Sequence, residues 1–440
     1  MNNLDLIKVF LDSTNKQWDN IYENHIHKLN ILHEIDITKS TITKYKYTKQ
    51  KNNLKPEWYI MTHNNIYPDY ENQNDELLLF IISNKLERNI LFMFHISGYN
   101  ILDNICVSNE ITKFINNLTK NLSGIDIINK ISITPIQNLF IKNNFKFYYE
   151  TIKLALLNKD LKKIFLINPK QIICIVNFIY KNKKLLIDEI SIIDKQRGIE
   201  LNNKLIIEND KKNIFNRLWK NLNMCIFYQN NENIISKYIK LYIGKIKTYT
   251  PVYSNYLCII GYDIFMDNSY IIDTRKGYFE FKNIIDDKIY TIRNLEKNNL
   301  YNIIISTTQS NIIRCITNNI IKVIDFYNNV PKIVHVCSYS NNYHEILEIE
   351  SIIIEFRPMD YCYRKHEKQI IIYIELFDNN NKIENIKEPY IIKVVRSGTF
   401  EKLYETKYCS NFDYCMSDFD KLLNNEKDIE LMKKNIIYVS

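Results

Sequence analysis

The sequence predicts an α/β fold, and three stretches carry that expectation. Residues 300–331, LYNIIISTTQSNIIRCITNNIIKVIDFYNNVP, hold three Ile/Val-rich runs, Ile303–Thr308, Ile312–Thr317 and Ile320–Phe326. Gln309-Ser310-Asn311 and Asn318-Asn319 separate them, which reads as an antiparallel meander. Residues 108–182 read as three helices: Pro135 precedes Phe145–Leu157, and Asn168-Pro169 opens Lys170–Tyr180 with proline in the first turn. Residues 391–403, IIKVVRSGTFEKL, combine a buried strand, a glycine turn and a helix start capped by Ser397 or Thr399.

At 440 residues, 46% apolar and 25% charged, the chain is long enough for two domains and a sizeable core, which excludes disorder for most of it. An excess of Asn, Ile, Lys and Tyr points to AT-rich coding DNA of the kind found in some viruses and protists. The net charge is +8, yet the lysines are spread evenly and no basic run interleaves with aromatics, so no DNA partner is expected. The nine Cys include no C-x-x-C pair, and the reading is reduced, buried thiols in a cytoplasmic protein. The apolar core of the N-terminus is too short for a signal peptide, and no run approaches the ~18 apolar residues of a membrane span. The expectation is a soluble chain with no membrane partner and an open oligomeric state.

The glycines restrict the chemistry more sharply. There are seven, and the closest pair, Gly261 and Gly277, stands sixteen positions apart. A loop that wraps phosphates with backbone N–H groups needs clustered small residues so that the main chain approaches closely and turns through positive φ. Neither a Walker loop nor a dinucleotide fingerprint is therefore present in recognisable form. The eight His hold no H-E-x-x-H, and the close pair His25 and His27 would point to different faces of a helix, so no metal site is expected.

Along the rest of the chain, residues 2–33 carry apolar positions near helical period, and the Lys-rich residues 36–56 read as a connector. Strands follow at Trp58–Met61, Leu77–Ile82 and Ile90–His95. Met224–Tyr228 reads as a strand, Glu232–Tyr242 as a helix, and Tyr278–Phe281 as a half-buried strand with two aromatics on its core face. Beyond Lys332–Cys337 and a polar linker, His344–Phe356 reads as a helix and Ile370–Phe377 and Tyr390–Val395 as strands.

Several of these pieces, in this order, resemble the GH3 family, the acyl acid-amido synthetases of the adenylate-forming superfamily. Ile313-Arg314-Cys315-Ile316-Thr317-Asn318-Asn319 occupies the family's Tyr-Arg-x-Arg-x-Gly-Asp pattern, and Asp325 to Pro331 its Gly-Phe-Tyr-Asn-x-x-Pro turn. Ile214 to Leu222 is similar to Leu-Trp-Pro-x-Leu, and Tyr278-Phe279-Glu280-Phe281 matches Tyr-Phe-Glu-Phe residue for residue. Tyr253 and Gly261 fall in register with Tyr-x-Ser-Ser-Glu-x-x-x-Gly, and Val394 to Leu403 is close to Val-Val-Arg-x-Gly-Thr-Phe-x-x-Leu. The resemblance spans roughly residues 58–421.

It implies a GH3-type adenylate-forming fold: N-terminal helices and linker at 1–57, a large α/β domain at 58–337, and a small C-terminal α/β lid at 338–440. Scaffold motifs persist while the implied ATP motifs are substituted. The phosphate loop aligns with Thr62-His63-Asn64-Asn65-Ile66-Tyr67-Pro68, so Thr62 and Asn64 are its remaining polar positions. The Glu that helps hold magnesium is Leu257, which offers no oxygen ligand. The Asp that accepts from the ribose hydroxyls is Asn319, a weakening by roughly 1 kcal/mol for a neutral in place of a charged acceptor. The transferring Lys aligns near Asp418, with Lys421 a few positions on. Asp263 and Arg314 are candidates for relocated ligands, and Tyr148 and Tyr149 for the acyl pocket, with interior packing as the competing reading for the two tyrosines. The function expected from this pattern is a GH3-like pseudoenzyme that has lost adenylation, needs no cofactor, and binds a small carboxylic acid or a host protein. The alternative is an active ligase that uses ATP and magnesium to join a small carboxylic acid to an amino acid. A structural subunit of an assembly is a second alternative.

Overall fold

The computed structural model describes residues 122–228, 237–254, 258–274, 277–307, 312–338, 358–376, 389–404 and 422–439. Shorter described pieces lie at 32–33, 58–61, 66–69, 89–94, 100–102, 105–108, 115, 348–349, 351–353, 356 and 406. In chain order the strands β1 to β21 are Leu32–His33, Trp58–Met61, Ile66–Asp69, Ile90–Phe92, Asn100–Leu102, Ile105–Ser108, Lys163–Leu166, Met224–Phe227, Lys247–Tyr249, Val252–Ser254, Ile259–Tyr262, Tyr270–Ile272, Tyr278–Asn283, Ile289–Thr291, Leu300–Thr307, Ile312–Tyr327, Val330–Ser338, Asp360–His366, Gln369–Glu375, Tyr390–Val395 and Ile436–Val439. The backbone separates into two compact units, one of residues 1–168, 221–233 and 246–339, the other of 169–220, 234–245 and 340–440.

The first unit holds three sheets. In the parallel sheet β4-β7-β8-β9, the apolar runs of β4, β7 and β8 are almost wholly buried, as expected of strands covered on both faces. Phe92, Phe94 and Phe165 meet there edge to face with ring centroids 5.3–5.7 Å apart. A second sheet runs β3-β2-β6-β5. The largest runs β10-β11-β12-β17-β16-β15-β13-β14, with β1 added parallel to β16. One face of that sheet buries Phe279, Phe281, Tyr301, Ile303, Ile305, Ile321, Val323 and Ile333, the alternate residues that period-2 patterning assigns to a core. The sheet is curled, since β10 and β17 would stand roughly 15 Å apart in a flat one, yet the rings of Tyr253 and His335 are 5.4 Å apart.

The second unit contains the helix Gln171–Ile193, the helix Lys195–Asn202 continued by the π-helix Asn203–Ile207, the helices Ile214–Leu218 and Lys237–Ile243, and the sheet β18-β19-β20-β21. The last has its own core of Ile349, Ile353, Tyr361, Tyr363, Ile372, Ile374, Leu376, Ile392 and Val394.

The structure departs from the sequence reading in four places. Ile312–Thr317 and Ile320–Phe326 belong to one sixteen-residue strand, β16, and Asn318-Asn319 forms an irregularity in its pairing instead of a turn. The reversal comes later, at Asn328-Asn329, both with positive φ and flanked by the pair Tyr327↔Val330. That is the two-residue hairpin loop whose twist suits antiparallel strands. Residues 108–182 include the buried strand β7, Lys163–Leu166, too short to stand out between two helices, and the helix read as ending at Tyr180 continues to Ile193. Neither Ser397 nor Thr399 caps the helix Thr399–Tyr404: the Thr399 hydroxyl donates back to the Arg396 carbonyl at 2.6 Å, and the Gly398 and Phe400 N–H groups donate to Glu375 at 2.6 and 2.9 Å. The helical reading of residues 2–33, the connector at 36–56 and the strand at 77–82 fall almost wholly outside the described residues.

Candidate functional site

Of the positions singled out by the sequence, Tyr253, Asp263, Arg314 and Asn319 lie on or beside two parts of the large curled sheet. The first is the β10–β11 hairpin. Tyr253 and Gly261, spaced by eight residues, face each other across it, with a register shift between Tyr253 and Ser254. A Cβ on Gly261 would stand 2.5 Å from the carbonyl oxygen of Ile271 on β12, so only glycine lets the third strand approach. The Tyr253 ring packs against Tyr270 at 5.3 Å as well as against His335. Leu257, which falls between β10 and β11 in sequence, is outside the described residues.

Beyond β11 the chain makes a compact loop around Asp263. Its carboxylate accepts from the backbone N–H groups of Phe265 at 3.0 Å, Asp267 at 3.4 Å and Asn268 at 2.7 Å. Burial pushes the Asp263 carboxyl up to about 6, against the lowering effect of these bonds. Asp267, reached through the same loop, accepts from Lys332 at 2.7 Å. Burial raises its pKa, but the Lys332 and Ser269 hydrogen bonds outweigh that and hold it below the usual carboxylate range.

The second part is the β13–β15–β16 ladder. Glu280 lies on the face of β13 opposite Phe279 and Phe281, and its side chain is fully buried. Arg314 answers it from β16 with two parallel hydrogen bonds, Nε to Oε2 at 2.9 Å and Nη2 to Oε1 at 3.0 Å. The backbone reaches this geometry through a bulge: β16 has an extra residue between Cys315 and Ile312, Arg314 takes a left-handed φ of 53°, and its N–H donates to Ser306 Oγ at 2.8 Å. Arg314 is thus committed to a buried ion pair. The signal for its partner was available: a carboxylate on a strand buried on both faces requires a cation, and Glu280 is the acidic residue of Tyr278–Phe281.

Five residues further on, Asn319 is partly exposed and pairs with Ser338 of β17. Its N–H donates to Thr317 Oγ1 at 3.4 Å. Tyr148 and Tyr149 are buried on the helix Asn144–Leu157, which Asn143 caps by accepting from the Lys146 N–H. Tyr149 stacks on the exposed Phe145 with ring planes 14° apart, and Lys153 Nζ lies 5.2 Å from its ring centre. Thr62, Asn64 and Lys421 are outside the described residues.

Among the described residues, no three His, Cys, Asp or Glu side chains converge as a metal site, and no helix is long and apolar enough to cross a membrane. Cys174, Cys225, Cys258, Cys315 and Cys362 are buried free thiols, and burial pushes that of Cys225 up to about 12.

Residues 270–338, the span from β12 to the end of β17, match the GH3 family central domain. Among solved structures the chain is similar to AtGH3.15 acyl acid amido synthetase in complex with 2,4-DB, with a TM-score of 0.73 at 14% identity, covering 100% of this chain and 95% of that one. It is also similar to a second structure of GH3.15 acyl acid amido synthetase, with a TM-score of 0.72 at 15% identity over 93% of this chain and 88% of the other. No curated protein matches the chain in sequence.

Proposed function

We propose, for a chain whose residues 270–338 match the GH3 family central domain and which has the fold of GH3 structures, that it is an ATP-dependent acyl acid amido synthetase, activating a small carboxylic acid as its adenylate and passing the acyl group to an amino acid's amine. The observation that carries this reading is the extent of the structural likeness, 100% of this chain and 95% of a synthetase.

Mg-ATP enters as substrate. The described carboxylates do not form a cage for the metal, and that of Asp263 is already engaged by three backbone N–H groups. As part of the substrate the ion would come with the nucleotide, since magnesium takes phosphates and waters as ligands and only one or two protein carboxylates. Asn319 offers its amide to a ribose hydroxyl, Thr62 and Asn64 lie at the aligned phosphate loop, and Lys421 supplies a fixed positive charge to the adenylation transition state. Arg314 acts through its grip on Glu280. Tyr148 and Tyr149 are assigned to the acyl-pocket wall, and the buried free thiols support a cytoplasmic setting.

A second reading, a non-catalytic homologue that binds a small acid or a protein partner, is favoured by one specific observation: no two glycines lie close enough to form a phosphate loop, and Leu257 stands where the family carries a carboxylate. Pyrophosphate exchange with Mg-ATP across a panel of carboxylic acids separates the two. Exchange with any acid supports the ligase. Thermal stabilisation by Mg-ATP or an acid without exchange supports the binding homologue, and absence of both overturns the ligase reading.

A further inference from the structure

The β15–β16 pairing departs from regular register a second time, three residues beyond Arg314. Between the pairs Asn302↔Ile320 and Ile304↔Ile316, three residues of β16, Thr317, Asn318 and Asn319, stand against Ile303 alone. So wide an irregularity breaks the ladder hydrogen bonds of the bulged strand. The Thr317 side chain replaces them. Thr317 is 1% exposed, its hydroxyl donates to the Ile303 carbonyl at 2.9 Å, and the same oxygen accepts from the Asn319 N–H at 3.4 Å. One hydroxyl thus ties the base of the bulge to the facing strand and the outgoing residue to the base. On its other edge Asn319 is held by pairing with Ser338, and the residue is partly exposed.

We propose that Thr317 is a positioning residue that fixes the backbone of Asn319 so that its amide meets the sugar hydroxyls of a bound nucleotide. The proposal rests on the ligase reading above and deepens it at the same site. Bulges of this kind re-aim side chains beside binding sites, and a buried hydroxyl that both donates and accepts is a rigid way to hold one. An apolar isostere at position 317 would leave the Ile303 carbonyl and the Asn319 N–H to find other partners and would let the bulge shift.

The test is Mg-ATP affinity, measured by titration calorimetry on the full chain, for the unaltered protein and for T317V, T317S, N319A and T317V/N319A. The apparent melting temperature of each variant without ligand reports whether it folds. Loss of the hydroxyl is expected to weaken Mg-ATP about 5- to 10-fold, T317S to stay within about twofold because it keeps the oxygen, and T317V/N319A to be no weaker than N319A alone. Equal weakening by T317V in both backgrounds, failure of T317S to restore affinity, or a T317V affinity equal to that of the unaltered protein would overturn the role of Thr317 while leaving the ligase reading intact. If the unaltered protein does not bind Mg-ATP, the ligase reading fails and the positioning role fails with it.

Discussion

Replacing Arg314 by Met removes the cation from a carboxylate that has no exposed surface. Glu280 is 0% exposed and its two oxygens are bonded at 2.9 and 3.0 Å by the guanidinium. Met fills much of the volume of the Arg stem and keeps the same backbone demand at the left-handed position, so the loss is that of charge and hydrogen bonds. Breaking one side of a buried pair costs about 3–5 kcal/mol. For a unit of this size that lowers the apparent melting temperature by roughly 6–15 °C, read by scanning calorimetry without ligand. The effect has a pH signature. A buried Glu280 that has lost the Arg314 cation has its folded pKa raised above the unfolded value, so its contribution is most favourable at low pH and is lost as pH rises through the folded pKa. The variant's deficit is therefore larger at pH 8 than at pH 5. Removing both partners in E280L/R314M leaves no unpaired charge and should recover most of the loss. A drop of less than about 2 °C for R314M, or a double variant as unstable as the single one, would refute the account of the pair.

Three further outcomes follow from the same geometry. Gly261→Ala places a methyl group 2.5 Å from the Ile271 carbonyl, so it should cost about 1–3 kcal/mol by forcing β11 and β12 apart, seen as a lower urea midpoint. Asp263, raised to about 6 in the folded chain, contributes stability that is full below the ordinary carboxylate pKa and is lost as pH rises through about 6; the urea midpoint should fall between pH 5 and 7.5, and D263N should flatten that part of the slope. Glu375→Gln sets an amide donor among the three groups that donate to Glu375, the Tyr238 hydroxyl and the Gly398 and Phe400 N–H groups. Faster hydrogen exchange at residues 398–403 should accompany a loss of about 1–3 kcal/mol.

How far the sequence could be read depended on whether a feature was local. Period-2 patterning was enough to find β8, β13 and β20, because each alternates or runs apolar over four to six residues with turns on either side. It misread Asn318-Asn319 as a turn, since two adjacent Asn between apolar runs look the same whether they reverse the chain or swell into a bulge; Asn328-Asn329 does reverse it. The difference is set by what faces each pair, Ile303 across the ladder in one case and nothing but the hairpin's own ends in the other. The helix cap failed for the same reason: Ser397 and Thr399 are good caps by type, but Glu375, more than twenty residues earlier, reaches the N–H groups at the helix start with both carboxyl oxygens.

The candidate site shows this limit most clearly. Aligned residue by residue, Arg314 and Asn319 read as two remnants of one nucleotide motif. In space they have separate duties: Arg314 is spent on Glu280, and Asn319 is held in a bulge by Thr317. A motif read in one dimension counts what is lost, whereas the sheet distinguishes residues that touch a ligand from those that keep the strand in shape. By alignment Leu257 and Asn319 stand at positions where the GH3 pattern carries acidic residues, whereas Glu280 and Arg314 form the buried pair that shapes the strand. The bulged strand thus keeps its internal supports while the aligned positions differ from the family pattern. That is the pattern expected when the ligand set of a site is altered on an unaltered frame, and it makes Asn319, rather than the better-matched Arg314, the residue at which nucleotide affinity should be probed.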